Sequence, residues 1–224
     1  MILKVKKIKL ETENSFSLIL EKPKRFNFYP GQYLDIELPV NDPNSSTRAF
    51  TISSSPTENY LTVTTKKGIT PFKKFVENIK PGDTVFASHP AGTFVLDETE
   101  SAVFIAGGIG ITPFRSMIRY VLDQKLKTPI LLIYSNSDEN FPFKDELDRW
   151  PKQLPNLKVI YHISKISGRL NIDKLEKILN LKSLILNHIF YLAGPPNMVD
   201  DIEKILIETG VDPLNIRADR FDGY

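Results

Sequence analysis

Two stretches of this chain carry residue types at spacings that chemistry can use. The first is Arg48-Ala49-Phe50-Thr51. In a strand Arg48 and Phe50 share a face, and Thr51 points the other way. A guanidinium suits a phosphate bidentately, and an aromatic ring suits stacking on a flat heterocycle. From these four residues alone, a half-buried strand with a surface salt bridge is the favoured alternative. The second stretch is the apolar run from Ala102 to Ala106, which leads directly into Gly107-Gly108-Ile109-Gly110-Ile111-Thr112-Pro113. Ile111, Phe114, Met117, Ile118, Val121 and Leu122 then recur at spacings of three and four, one face of a helix. Strand, glycine turn and helix together aim backbone N–H groups and a positive helix end at a phosphate. The pattern is not a complete G-x-G-x-x-G, because Pro113 stands where the third glycine belongs. Alone, it reads equally well as a tight turn with no ligand.

The elements that must position these residues fall into two kinds. Residues 1–97 read as β. Phe16, Leu18 and Leu20 share one face, as do Leu34, Ile36 and Leu38, and residues 60–65 alternate again. Pro30-Gly31, Asn41-Asp-Pro43, Ser55-Pro56 and Pro81-Gly82-Asp83 punctuate the run. Such short strands predict a small antiparallel barrel or sandwich. One helix is expected from about Thr70 to Asn78, with Phe72, Phe75, Val76 and Ile79 on its apolar side. The pattern changes near Asp97-Glu-Thr-Glu100, read as the domain boundary. In residues 98–224, apolar strand runs at 103–106, 130–134, 159–163 and 189–193 alternate with helical patterns around 111–125, 143–150, 171–180 and 196–208. That alternation predicts a doubly wound α/β domain, a parallel sheet covered on both faces. Right-handed crossovers place all strand C-terminal ends on one edge. Gly107, Ser135 and Gly194 each follow a strand and are expected to line one crevice.

Composition narrows the classes. The chain has 224 residues, 29 basic against 27 acidic, for a net charge of +2, so no polyanion-binding field is implied and nucleic acid is not expected as a partner. There is no cysteine, which excludes disulfides, thiolate zinc sites and a cluster held by this chain's own thiolates. No metal site is expected; His89, His162 and His188 are scattered and read as structural. No stretch has the length of a signal-peptide core or of a membrane span, so a cytoplasmic location is the expectation.

The motifs, taken in order, resemble those of the ferredoxin–NADP reductase superfamily. Arg48-Ala-Phe-Thr51 resembles its R-x-[YF]-[ST] flavin signature, and Pro30-Gly-Gln-Tyr33 its P-G-Q-[YF] strand start. Lys67-Gly-Ile-Thr70 resembles its K-G-x-[ST] flavin-phosphate loop. Pro81-Gly-Asp83 with Pro90-Ala-Gly-Thr-Phe94 resembles its P-G-D … G-P-x-G-x-F segment. Gly107 to Pro113 is similar to the G-G-x-G-x-[TS]-P nicotinamide-nucleotide loop, where Pro113 is the regular residue, pre-set for the first helical turn. Ala193-Gly-Pro-Pro-Asn-Met198 resembles the C-G-P-x-x-M turn, and Phe221-Asp-Gly-Tyr224 the C-terminal F-x-G-Y.

The resemblance implies a six-stranded antiparallel Greek-key flavin barrel at 1–97 and an NAD(P)-binding α/β domain at 98–224. It assigns FAD to Arg48, Ala49, Phe50, Thr51, Thr64, Lys66, Lys67, Gly68, Ile69 and Thr70. Within that set Arg48 meets the pyrophosphate, Phe50 flanks the isoalloxazine ring and Thr51 contacts flavin N5. Lys67, Gly68 and Thr70 hold phosphate through backbone N–H groups and the hydroxyl. It assigns the nicotinamide dinucleotide to Gly108, Gly110, Thr112, Pro113, Tyr134, Ser135, Asn136, Gly194, Pro195, Met198, Phe221 and Tyr224. Thr51, Thr112 and Phe221 carry the catalytic roles, with Phe221 preferred over Tyr224 as the ring that covers the flavin. Two departures stand out: Phe50 replaces the usual tyrosine, and Ala193 the usual cysteine.

The loop Tyr134-Ser-Asn-Ser-Asp-Glu-Asn140 is expected to set pyridine-nucleotide choice. It offers Asp138 and Glu139 and no arginine, which favours NADH, although Arg169 offers a route to NADPH. The implied activity is hydride transfer between NAD(P)H and bound flavin, with electrons passing to a separate acceptor such as a ferredoxin, a flavodoxin or an oxygenase component. The alternatives are a reductase of free flavin, ferric chelates or quinones, and an electron-transfer subunit of a larger complex. The absence of cysteine counts against the last.

Overall fold

The computed structural model describes residues 1–179 and 188–221. The chain divides into two compact units: Met1–Leu96 with Thr112–Tyr120, and Asp97–Ile111 with the described residues from Val121 onward.

The first unit holds β1 (Ile2–Thr12), β2 (Ser15–Glu21), β3 (Tyr33–Glu37), β4 (Thr47–Thr51), β5 (Tyr60–Lys66) and β6 (Thr84–Ala87), in the order β4-β3-β6-β1-β2-β5. All neighbouring pairs are antiparallel. The two outer strands meet just past β4, where Ile52 bridges Val63 and the Ser53 N–H donates to Thr62 O at 2.8 Å. That closure makes the sheet a Greek-key barrel and removes its exposed edges. Leu18, Leu20, Leu34, Ile36, Leu61 and Val63 fill the interior. The period-2 pattern was legible in β2, β3 and β5 but not in β1. There the register shifts between Val5 and Lys7 and again between Leu10 and Thr12. Each extra residue breaks the alternation, so buried Leu3 and Val5 are followed by exposed Lys6 and Lys7.

Between β5 and β6 lies α1 (Pro71–Asn78). Thr70 caps it, its hydroxyl accepting the Lys73 N–H, and Pro71 takes the first turn. Phe72, Val76 and Ile79 drop into the barrel core. Phe75, expected on the same side, stands at the edge of that face and is exposed.

The second unit is a five-stranded parallel sheet of β7 (Ser101–Gly107), β8 (Ile130–Asn136), β9 (Leu157–Ile163), β10 (His188–Gly194) and β11 (Ile216–Arg220), in the order β11-β10-β7-β8-β9. The described helices after β7 are α2 (Ile111–Gln124), whose first half groups with the barrel, α3 (Lys144–Arg149), a single turn α4 (Ser164–Ser167), α5 (Ile172–Leu179) and α6 (Pro196–Glu208). The helix expected to reach residue 180 is described only to Leu179. β11 was not anticipated, because Ile216-Arg-Ala-Asp-Arg220 is short, has only two apolar residues and has none fully buried. Strand order runs one way from β7 to β9 and reverses to place β10 and β11 on the other side. The switch point therefore lies between β7 and β10, where α/β sheets open a crevice at their strand C-terminal ends.

Candidate functional site: two nucleotide cradles

At the switch point the backbone is packed too closely for side chains. A Cβ on Gly110 would lie 2.2 Å from Ala193 O and 2.6 Å from Gly194 N. One on Gly107 would lie 2.5 Å from Met198 Sδ. Gly194 has φ 153° and faces the Gly107 backbone, its own Cβ position 3.0 Å from Gly107 Cα. The turn Gly108–Gly110 is pinned from below by buried Tyr134, whose hydroxyl donates to Gly108 O at 3.0 Å. The Phe221 N–H donates to Gly194 O at 2.9 Å, and the Met198 N–H to Pro195 O at 3.0 Å. Hence Gly108, Gly110, Tyr134, Gly194, Pro195, Met198 and the backbone of Phe221 converge on one sheet edge. Thr112 and Pro113 follow directly in the first turn of α2, with Thr112 buried. Tyr224 lies outside the described residues.

Further along the same edge, Ser135 and His162 are register partners whose Oγ and Nδ1 are 3.1 Å apart. Burial, and to a lesser extent Lys174, holds the His162 imidazole below its usual range. The Asn136 amide donates to Asn140 O at 2.9 Å. Asp138, offered by sequence as a ribose acceptor, turns its carboxylate to the Asn140 N–H and to Lys165 Nζ at 3.3 Å. Asp219 was passed over in the sequence; β11 sets it in register with Ala193, and burial raises its carboxyl above the usual range.

On the barrel, Arg48 is buried, not at the surface as the plain strand alternative had it. Its Nη2 pairs with Asp42 Oδ2 at 2.8 Å and donates to Thr70 Oγ1 at 3.2 Å. The guanidinium stacks 4.7 Å over Phe72. Phe50 stacks on Phe72 with centroids 5.9 Å apart and lies within the core. Asp42 also accepts the Phe72 and Asn44 N–H groups. Burial raises its carboxyl, but these bonds and Arg48 more than reverse that and leave it below the usual range. The structure thus gathers Arg48, Phe50 and Thr70 around the start of α1. Thr64 sits elsewhere, its hydroxyl shared by Ser17 at 2.8 Å and Ser53 at 2.9 Å. Ala49, Lys66, Lys67 and Ile69 are exposed or nearly so, while Thr51 is buried on the face opposite Arg48. The loop's backbone is not on offer as expected: the Lys67 N–H donates to Asn14 O at 2.9 Å and the Gly68 N–H to Glu77 Oε1 at 2.8 Å.

A second network in this unit had no sequence signal. Arg115, in the first half of α2, forms a buried ion pair with Glu58. Its Nη2 reaches Glu58 Oε1 at 3.1 Å and its Nη1 reaches Ser53 O at 3.2 Å. Ser116 Oγ donates to Ser54 O at 2.6 Å. Glu58 also accepts the Tyr60 hydroxyl at 2.6 Å and the Ser55 N–H at 2.7 Å. Burial alone would raise Glu58, yet Arg115 and these donors bring it below the usual carboxyl range. Burial and Glu58 together push Tyr60 up to about 12.

Both cradles fit nucleotide cofactors. The switch-point glycines draw backbone rather than side chains to the strand ends, as a phosphate-binding turn needs, and the barrel site concentrates cations beside aromatic rings. The family models agree. Residues 1–107 match an FAD-binding domain, and residues 104–204 match an oxidoreductase NAD-binding domain. The chain belongs to the ferredoxin–NADP reductase superfamily.

Among curated relatives, this superfamily member is 31% identical over 210 residues to flavohemoprotein A of Dictyostelium discoideum, covering 87% of the chain and 52% of the relative. It is 28% identical over 202 residues to the toluate 1,2-dioxygenase electron transfer component of Pseudomonas putida, covering 87% and 59%. The chain therefore spans little more than half the length of these relatives. Its fold superposes on ferredoxin–NADP+ reductase from Plasmodium falciparum with a TM-score of 0.86 at 19% identity, covering 98% of this chain and 95% of that one. Among the described residues no helix is long and apolar enough to cross a membrane.

Proposed function

We propose that this superfamily member is an NAD(P)H-dependent flavoprotein reductase that passes electrons from bound FAD to a separate acceptor, a redox protein such as a ferredoxin, a flavodoxin or an oxygenase component. The observation that carries this reading is the pairing, in one chain, of the Arg48–Phe50–Thr70 cradle with the glycine switch point at Gly107, Gly110 and Gly194. Relatives that serve as reductase or electron-transfer components of oxygenases support the acceptor class. The flavin portion is 1–97 and the nicotinamide portion 98–224.

The two cofactors supply the redox chemistry, hydride transfer between a nicotinamide and a flavin. The chain's residues bind, orient and shield. Arg48 and Thr70 hold the flavin's phosphate, with Asp42 fixing the guanidinium in place. Thr51 supplies a hydroxyl at flavin N5, and Thr112 contacts the nicotinamide ring. The glycine turn lets backbone approach the dinucleotide's pyrophosphate. NADH is the favoured donor, since the loop after β8 carries Glu139 beside the Lys165-paired Asp138 and no arginine.

The test is rapid-mixing absorbance of the FAD-loaded chain with NADH or NADPH, followed by a panel of acceptors. Bleaching of the flavin band, faster with NADH, is expected. A chain that binds no flavin at any concentration sinks the reading. Turnover with free flavin, ferric chelates or quinones but with no protein acceptor favours the alternative.

A further inference from the structure

The K-G-x-T loop has a feature that the resemblance does not supply. Lys73, from α1, lays its stem across Gly68: a Cβ there would meet Lys73 Cγ at 3.0 Å and Cβ at 3.3 Å. The ammonium then stands 5.8 Å from the Phe50 ring centroid and donates to Thr65 Oγ1 at 2.5 Å. That partner is neutral. The charges around Lys73 come from three elements: Arg48 of β4, Lys66 at the end of β5, and Glu77 of α1 itself. Glu77 is engaged with the Gly68 N–H at 2.8 Å and with Lys74 at 3.5 Å. Asp42 is engaged with Arg48. Cations therefore outnumber the carboxylates free to meet them. Two of the loop's N–H groups, those of Lys67 and Gly68, already have protein acceptors.

We propose that Lys73 is a ligand of the flavin's phosphate, working beside Arg48 and Thr70 in place of the Lys67 and Gly68 N–H groups, so that this barrel selects phosphorylated flavins over riboflavin. The inference rests on the proposed flavin site and adds a residue to it. Thr70 ties Arg48 to the first turn of α1, its hydroxyl accepting from Arg48 Nη2 at 3.2 Å and from the Lys73 main-chain N–H at 3.3 Å. Burial first, then Arg48 and Lys66, bring Lys73 down to about 8, with Glu77 opposing. The ammonium is therefore fully charged below that value and lost above it, and an arriving phosphate restores it.

The experiment measures binding of FAD, FMN and riboflavin by fluorescence quenching, in wild type, Lys73→Met and Lys73→Arg, from pH 6.5 to 9.5. A charge-assisted contact predicts that Lys73→Met weakens FAD and FMN about tenfold or more and leaves riboflavin unchanged. Lys73→Arg restores FAD binding. Wild-type FAD affinity falls as pH rises through about 8, whereas Lys73→Arg stays flat and riboflavin shows no such fall. Equal losses for FAD and riboflavin, or unchanged FAD affinity in Lys73→Met, overturn the proposal while leaving the flavoprotein reading intact. Failure of wild type to bind any flavin overturns both. If Lys73→Met does not fold, by thermal melting, the pH profiles of wild type and Lys73→Arg decide.

Discussion

Gly110 tolerates no side chain, because its Cβ position lies 2.2 Å from a backbone oxygen that cannot rotate away. Gly110→Ala is therefore expected to shift the end of β10 or the Gly108–Gly110 turn. The cost is on the order of 1–3 kcal/mol, the usual range for overpacking. Urea unfolding checks the stability, and an NADH titration should show weakened binding; a variant with unchanged stability and binding refutes the close approach. The glycine spacing was readable in the sequence, but nothing in the spacing says which glycine lacks room. Gly107 is blocked by Met198, about ninety residues away in sequence, and Gly110 by Ala193. Asp42 and Lys73 were invisible for the same reason: each becomes part of the cradle only because α1 folds back onto β4.

At the scale of elements, α2 is the informative case. Its periodicity was plain, yet its first half, Thr112–Tyr120, groups with the barrel residues. The buried Arg115–Glu58 pair and the Ser116–Ser54 bond account for that. Removing one partner of a buried pair leaves the other charge uncompensated, so Arg115→Met is expected to cost about 3–5 kcal/mol in chemical denaturation. The pH dependence follows from the same pair. Glu58 is held below its ordinary 4.5, so the stability it contributes is present above that value and is lost as pH falls through the lower folded value. Glu58→Gln should flatten this acid limb of a stability–pH curve; an unchanged limb would assign the loss to other carboxyls. β1 and β11 mark the opposite limit. Bulges break the alternation in β1, and β11 is too short and too polar for its alternation to register.

At the scale of the molecule, a ligand that binds only the folded state stabilises it by mass action. FAD at about a hundredfold over its dissociation constant should raise the stability of the barrel unit by about 2.7 kcal/mol. Differential scanning calorimetry with FAD and then with riboflavin checks this, and an FAD-insensitive melt counts against the proposed function. By itself the sequence determined the two-part order, the β-to-α/β change near Asp97 and the motifs that mark the superfamily, because these reside in local periodicity and in short fixed spacings. Only tertiary structure decided the rest: the closure of the barrel through Ile52 and Val63, the switch point between β7 and β10, the burial of Arg48 against Asp42, and the lysine lying on Gly68. Each is a meeting of residues distant along the chain, and such meetings depend on how elements pack, which no local pattern encodes.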